Sequence, residues 1–458
     1  MRARRDIPRQ WTAEIDTTTP AVVLKLDDNP FHHGGLGVIR GLGRLGVPVY
    51  GVCEDPFVPA ARSRYLHGHW RWRTGAAPTD DVVDGLARIA ERLGRPAVVL
   101  PTDDVGAILL AEQSERLHPW LLFPRPPTEL PRKFAGKDTL HRLCRGHGIP
   151  SPDTETVTTW PRARAFASAV GYPLVAKLAM PWLASGRPRP PSTSVIHGPG
   201  QLAELYEKAG QPLVLQEFLP VGAGEAGRGQ DWFFHGYRGV GSNEVAGCTG
   251  LKERSYPSPA GLTSFGRWVA NPELERTATE LLRRTDYRGI VDMDWRWDPR
   301  DGHYKLLDCN PRLGAQFRLF SDTSGFDLSV AAYLDLTGQP VPEMAPVRER
   351  RFVVENYEPL AAFGGWRSGR FTLGEWVASV RGTEETAWFA RDDLVPFGLM
   401  CLRTGWRALT RRVPRRAAGS GRTSPPRFYS GRAAGISNSA SPGRRSGGAK
   451  HGVEGVRG

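Results

Sequence analysis

Two neighbouring runs of the chain gather side chains able to hold a metal and an anionic group together. The first is Gly289-Ile-Val-Asp-Met-Asp-Trp-Arg-Trp297. The second, Tyr304-Lys-Leu-Leu-Asp-Cys-Asn-Pro-Arg312, follows the segment Asp298-Pro-Arg-Asp-Gly302. An Asp-Gly pair favours a hairpin turn, so the two runs are expected to pair as antiparallel strands. Pairing brings Asp294 close to Asp308. With the Asn310 amide oxygen they make an oxygen-only ligand set, suited to Mg²⁺ (or Mn²⁺) when phosphate oxygens complete the octahedron. Arg312 adds a planar donor fork for phosphate or carboxylate. Asp298 and Asp301, in the turn, read as ordinary solvated acids.

Cations that could meet such an anion lie earlier. Lys177 ends Tyr172-Pro-Leu-Val-Ala-Lys177, one charge on an otherwise apolar strand. A lysine there needs an anionic partner, because burying it alone is costly. Lys252 and Arg254, in Gly250-Leu-Lys-Glu-Arg254, alternate along one strand face. Both suit the neutralisation of charge on a transferred phosphoryl group. Arg318 is a further candidate, for a substrate carboxylate.

These residues need a scaffold, and the hydrophobic pattern supplies one. Over residues 20–127, strands at 21–26, 47–52 and 97–100 alternate with helices at 36–45, 80–93 and 107–117. That alternation predicts a doubly wound parallel α/β sheet. Residues 128–215 read as helices at 138–146, 161–169 and 201–209 with strands at 172–178 and 213–219. Residues 216–340 read as strands at 232–237, 289–297 and 303–307 with a helix at 272–285. The whole is α/β followed by α+β. Residues 1–19 form a leader and 341–412 a C-terminal extension with short helices at 373–380 and 394–409. Residues 413–458 are rich in Arg, Gly, Ser and Pro, and are expected to be disordered.

The acidic hairpin and its Asp-Cys-Asn-Pro-Arg ending resemble the ATP-grasp superfamily, to which biotin carboxylase and carbamoyl phosphate synthase belong. The likeness covers about residues 20–340. It implies a Rossmann-like domain ahead of a two-lobed ATP-grasp fold, with ATP and magnesium as cofactors. It also implies that Asp294, Asp308 and Asn310 hold the metal, where the family usually has Glu at both acids. The Pro-x-Val-x-Lys pattern implies that Lys177 contacts phosphate, and Gly-Lys-Asp matches Lys137 to an earlier ATP-binding lysine. Gln216, Glu217, Phe218 and Leu219 match the adenine hinge, whose backbone would face the base. Asp231 matches the acid that accepts from the ribose hydroxyls, with Glu225 as its rival. Lys252 and Arg254 match a Lys-x-Arg segment of the carboxylate–amine ligase branch, which includes D-aspartate ligase-like proteins. The implied reaction is phosphorylation of a carboxylate and capture of the acyl phosphate by an amine. Carboxylation of a small nitrogen acceptor is the alternative. The loop after Lys177 is usually glycine-rich. Here it is proline-rich, and proline donates no backbone hydrogen bond. Ser192, Thr193 and Ser194 are the candidates to cover the phosphates.

Gly41-Leu-Gly-Arg-Leu-Gly46 fits a dinucleotide fingerprint literally, but it ends a helix instead of opening one. His32-His33 is expected to face the cleft, toward the acceptor substrate. The five cysteines are scattered with no CxxC pair, which fits a reducing cytoplasm. No apolar run approaches the length of a spanning helix. The net charge of +13 sits mostly beyond Cys401, so it says little about the catalytic body, and no nucleic-acid partner is expected. The expected partners are small carboxylate and amine substrates and a second copy of the chain. A rival reading gives the basic tail a membrane or nucleic acid to bind. In it, residues 397–412 form an interfacial amphipathic helix at the inner membrane face.

Overall fold

The computed structural model describes residues 15–410, except 28, 30, 56, 75–76, 179–192, 211, 221–230, 242–243 and 259–260, together with residues 426–430. The proline-rich loop through Ser192 and Glu225 lie outside the described residues, whereas Thr193 and Ser194, the other two candidates to cover the phosphates, fall on the strand Thr193–Ile196.

The chain opens with β1 (Ala21–Leu24), α1 (His33–Gly43), β2 (Val49–Cys53), β3 (Leu66–Arg71), α2 (Thr79–Leu93), β4 (Ala97–Pro101), α3 (Asp104–Glu112), α4 (Ser114–Leu117) and β5 (Leu121–Leu122). β3-β2-β1-β4-β5 form a parallel sheet. Both faces of β1 are buried: Ala21 and Val23 join one apolar cluster, Val22 and Leu24 the other. Such burial is why a parallel strand reads as a continuous apolar run. α1 ends at Gly43, and Gly46 takes a positive φ of 92°. Gly46 serves the turn, while Gly41 and Gly43 lie within α1, so the motif closes a helix instead of opening one. The chain leaves β1 toward β2 and β4 toward β5, in opposite directions across the sheet. A crevice therefore opens beyond the C-terminal ends of β1 and β4, the switch point where doubly wound sheets bind ligands.

α5 (Leu130–Ala135) and α6 (Lys137–Gly146) lead to β6 (Thr154–Val157), α7 (Trp160–Val170), β7 (Leu174–Leu178), β8 (Thr193–Ile196), α8 (Pro199–Ala209) and β9 (Leu213–Glu217). Their four strands make an antiparallel sheet, β6-β9-β7-β8, with its own apolar core against α7 and α8.

A seven-stranded sheet follows: β10 (Asp231–Arg238), β11 (Val245–Tyr256), β12 (Leu262–Trp268), α9 (Pro272–Arg284), β13 (Gly289–Asp298), β14 (His303–Asn310), α10 (Leu328–Leu336) and β15 (Arg351–Val353). After α11 (Glu358–Arg367) and α12 (Leu373–Val380), β16 (Glu385–Thr386) completes it in the order β14-β13-β10-β11-β12-β15-β16. One face, with Met293, Trp295, Trp232 and Phe234, packs on α5, α6 and α9. Phe233 on the other face joins an apolar cluster that continues through Phe317 and Phe320 to Val23 and Leu100 of the first sheet. The first and third sheets thus share one core.

α13 (Val395–Thr410) lies against the first unit, where the buried Arg40 guanidinium bonds Asp393 Oδ2 at 2.9 Å just before the helix. β17 (Arg427–Ser430) corrects the expectation of a wholly disordered tail. It pairs antiparallel with β3, and Phe428 packs on Trp70 with ring centroids 5.2 Å apart. A phenylalanine supplied to an open sheet edge gives that short segment enough apolar contact to order. The Arg92 guanidinium also lies 4.7 Å from its ring centroid. Asp298 corrects another expectation. It is fully buried, bonded by Arg300 Nε at 2.8 Å and Lys305 Nζ at 2.7 Å. A buried carboxylate needs such partners, and they hold its pKa well below the usual range despite burial.

Candidate functional site

The hairpin forms, and its register sets Asp294 opposite Asp308 and Asp292 opposite Asn310. Strand alternation puts these four on one face. Across β10 and β11 the same face carries Asp231, His235 and Lys252, through the pairs Asp231–Lys252 and Asp292–His235.

Three cations converge on the acids from different elements. Lys137, the first residue of α6, donates to Asp308 Oδ1. Lys177, on β7, donates to Gln216 Oε1 at 3.1 Å. Burial and the nearby Lys137 push its pKa down to about 8, against the pull of Asp308 and Asp294. Lys252 makes no ion pair among the described residues, and its charge acts on Asp294. Burial raises the Asp294 pKa, and Asp292 and Asp308 reinforce the rise, while Lys252 opposes it. Asp308 goes the other way: burial disfavours its charge, but Lys137 and Lys177 lower its pKa overall.

Asn310 Nδ2 donates to the Asp292 carbonyl at 3.2 Å, leaving its amide oxygen as an acceptor. Among the described residues, no three His, Cys, Asp or Glu side chains form a preformed metal cage. That does not count against magnesium, which is held by one or two carboxylates and otherwise by substrate phosphates and water. Asp294 makes no hydrogen bond or ion pair among the described residues. This half-buried carboxylate, opposite Asp308 and near the Asn310 oxygen, fits such an ion.

The other expected residues are placed as follows. Glu217 ends β9; its carboxylate accepts from Arg300 at 2.6 Å and ties the second sheet to the hairpin turn. Gln216 is buried and also donates to Thr154 Oγ1 at 3.1 Å. Phe218 follows β9, and the Leu219 carbonyl accepts from Arg296 at 3.2 Å. Asp231 opens β10 and accepts from Arg296 Nε at 2.7 Å. Arg312 donates to Asp292 Oδ2 at 2.5 Å and lies 3.5 Å from Asp104 Oδ1.

Two expected residues sit elsewhere. Arg254 was expected to share a face with Lys252, but a register shift separates them. Its guanidinium instead bonds Glu358 of α11 at 2.6 Å and stacks 4.1 Å from the Phe265 ring centroid. Arg318 bonds Asp327 and lies 3.3 Å from Glu385 Oε1, so its guanidinium is engaged in an ion-pair network within the protein.

Asp292, Asp104 and Arg296 were not foreseen. Asp104 comes from the first unit, at the start of α3. Burial raises its pKa, with Asp308 and Asp292 adding to the rise and Arg312 and Lys137 opposing it. Its buried Oδ1 has no hydrogen bond. Asp104 and Arg312 line a cavity of about 290 Å³ in the switch-point crevice, with His32, His33, Val105 and Thr263. The histidine pair thus faces this cavity. Burial lowers the pKa of both, that of His33 to about 4, so both rings are neutral near pH 7.

No family model matches the chain. It is 24% identical over 262 residues to the carbamoyl phosphate synthase large chain of Deinococcus radiodurans, covering 54% of this chain and 23% of the synthase. It is 32% identical over 87 residues to D-aspartate ligase of Enterococcus faecium, covering 18% of this chain and 20% of the ligase. The chain thus spans less than a quarter of either relative. Among solved structures, an ADP complex of N5-carboxyaminoimidazole ribonucleotide synthetase superposes with a TM-score of 0.57 at 12% identity, over 77% of this chain and 85% of that one. The fold is the ATP-grasp fold. The sequence matches and the superposition all indicate the ATP-grasp superfamily.

Proposed function

We propose that the protein is an ATP-dependent ligase that phosphorylates a carboxylate and joins the acyl group to an amine. The observation that carries this reading is the facing pair Asp294 and Asp308, met by Lys137 and Lys177 from elements outside their sheet. In this reading the backbone of Glu217 to Leu219 faces the adenine. Asp231 accepts from the ribose. Lys137 and Lys177 bind the phosphates, and Lys252 faces the γ-phosphate. Asp294, Asp308 and Asn310 would hold magnesium, which when bound neutralises charge on the phosphate oxygens.

A carboxylate oxygen of the substrate attacks the γ-phosphorus. The bond to the β–γ bridging oxygen breaks and ADP leaves. The amine nitrogen then attacks the acyl carbon, phosphate departs, and the nitrogen gives up a proton. Asp104, which lines the cavity and whose Oδ1 lies 3.5 Å from Arg312 without a hydrogen bond, would take the first proton from the substrate ammonium to free its lone pair, and the second proton leaves with the departing phosphate. Arg312, held by Asp292 and lying beside Asp104, orients the acyl phosphate. The chain works in the cytoplasm, a reading supported by its five unpaired cysteines.

The test is substrate-dependent ADP release, screened over amino acids and dipeptides, with bicarbonate as a separate arm. Lys177→Ala and Asp308→Asn should each lose at least about 100-fold in rate. Unchanged rates in both would sink the proposal, and release stimulated by bicarbonate alone would replace ligation with carboxylation.

A further inference from the structure

Arg296 joins two parts of the site that belong to different sheets. It stands on β13, two residues beyond Asp294 and on the same face. Its neighbours on the strand hold the other face: Trp295 is fully buried, and Trp297 packs edge-on to Tyr304 with centroids 5.0 Å apart. Register sets Arg296 directly opposite Asp231, the first residue of β10. Two guanidinium nitrogens reach one oxygen there. Nε bonds Asp231 Oδ1 at 2.7 Å, and Nη2 lies 2.6 Å from the same atom. The third, Nη1, donates to the Leu219 carbonyl at 3.2 Å. Leu219 follows β9, a strand of the second sheet, which has its own core. One planar, permanently charged group thus connects the segment expected to face the base with the acid expected to meet the sugar.

The sharing of these contacts leaves a vacancy. An arginine that meets a carboxylate often forks onto both of its oxygens. Here both nitrogens take Oδ1, and Asp231 Oδ2 has no partner among the described residues. The two side chains are each only 15% exposed, so the pair is held firmly but stays open on one side. Lys252 is the neighbour of Asp231 on β11, yet it makes no ion pair among the described residues. Arg296 therefore engages Asp231 alone, and Lys252 is left for a different anion. A carboxylate fixed in one rotamer, with one oxygen outstanding, is ready to accept from a hydroxyl without further ordering cost.

We infer that Arg296 is a positioning residue for the nucleoside. It aims Asp231 Oδ2 at a ribose hydroxyl and, through the Leu219 carbonyl, sets the hinge at the matching distance. The chain thereby tells ribonucleotides from deoxyribonucleotides through an arginine that does not touch the sugar. This inference rests on the proposed ATP site. The test is calorimetric titration of the full chain with ADP, 2′-deoxy-ADP and 3′-deoxy-ADP in the presence of magnesium. The natural chain should prefer ADP to at least one deoxy analogue by about tenfold, the worth of a hydrogen bond to a charged acceptor. Asp231→Ala should abolish that preference. Arg296→Met should lose most of it and bind ADP about tenfold more weakly, while Arg296→Lys, which keeps a donor for Asp231, should retain more of it. Arg296→Met leaves a half-buried carboxylate uncompensated, so its thermal midpoint is recorded beside that of the double variant Asp231→Ala/Arg296→Met, which has no such charge. The double variant should bind ADP several-fold more weakly than Asp231→Ala, because the Leu219 carbonyl is released. Full sugar preference in folded Arg296→Met, or equal ADP affinity in Asp231→Ala and the double variant, would overturn the inference and leave the ATP site standing. A natural chain without sugar preference, or an Asp231→Ala variant that keeps it, would overturn the role of Asp231 and the inference together.

Discussion

Lys177 stands between opposing demands. Burial and the neighbouring Lys137 disfavour its charge, and its pKa falls to about 8. A bound polyphosphate would favour the ammonium form and raise that pKa. Below about pH 8 the lysine is already charged, and nucleotide binding gains its full attraction. Above that pH the protein must take up a proton to bind, so affinity falls as pH rises through about 8. Calorimetric titration with ATP in two buffers of different ionisation enthalpy should report that proton uptake, and Lys177→Met should abolish it. A flat affinity profile through this range would argue against contact between Lys177 and phosphate. Asp104 gives a second prediction at this scale. Asp104→Asn should raise the KM for the amine at least about tenfold and leave ATP binding unaltered. An unchanged amine KM would remove Asp104 from the amine's site. Asp294, Asp308 and Asn310 were legible in the sequence because one tight turn fixes their pairing. Asp292 carried the same signal, two residues before Asp294 and so on the same face. Asp104 carried none, since its place beside Arg312 depends on how two distant sheets dock.

The elements explain which of the expected residues stand apart from the site. Arg318 joins a 3₁₀ turn at Phe317–Phe320 to the N-terminus of α10 through Asp327, and to β16 through Glu385. Asp327 also accepts from the backbone nitrogens of Ser329 and Val330, capping α10. Removing one partner from a buried network leaves the other charges uncompensated, which typically costs about 3–5 kcal/mol. Arg318→Ala should therefore lower stability to denaturant by about that amount, while the KM of each substrate stays put in the folded fraction. A selective rise in one KM without loss of stability would restore Arg318 to substrate binding. Arg254 was misplaced for a related reason. Alternation along a strand assumes an unbroken register, and β11 shifts between Lys252 and Arg254. Nothing in Lys-Glu-Arg announces that shift. The strongly amphipathic α2 and the apolar β1 and β4 lie where periodicity puts them, because their own residues carry the pattern. β3 and β12 went unread: histidine, glycine, serine and threonine dilute their apolar signal, and their partners across the sheet stabilise them.

At the scale of the whole molecule, the first and third sheets are joined by one apolar cluster running from Val23 and Leu100 to Phe233 and Phe320. The second sheet keeps its own core and meets the hairpin turn through Glu217 and Arg300. The cavity beside Arg312 is therefore walled by elements whose separation the shared core fixes, while Lys177 approaches from a separately packed lobe. A rigid cavity selects by size, because its walls do not retreat from a larger occupant. Val105 offers a direct check. It lines the cavity from the first turn of α3 and is exposed, so a larger side chain there would project into the space without displacing the core. Val105→Trp should raise the KM of the amine by about 1–2 kcal/mol in binding terms, roughly five- to thirtyfold, and more steeply for larger amines. The affinity for ATP should not change, because the lysines and acids expected to hold the nucleotide lie outside this cavity's walls. A parallel loss of ATP affinity would mean that the cavity belongs to the nucleotide. An unchanged KM across amines of increasing size would mean that the acceptor enters by another route.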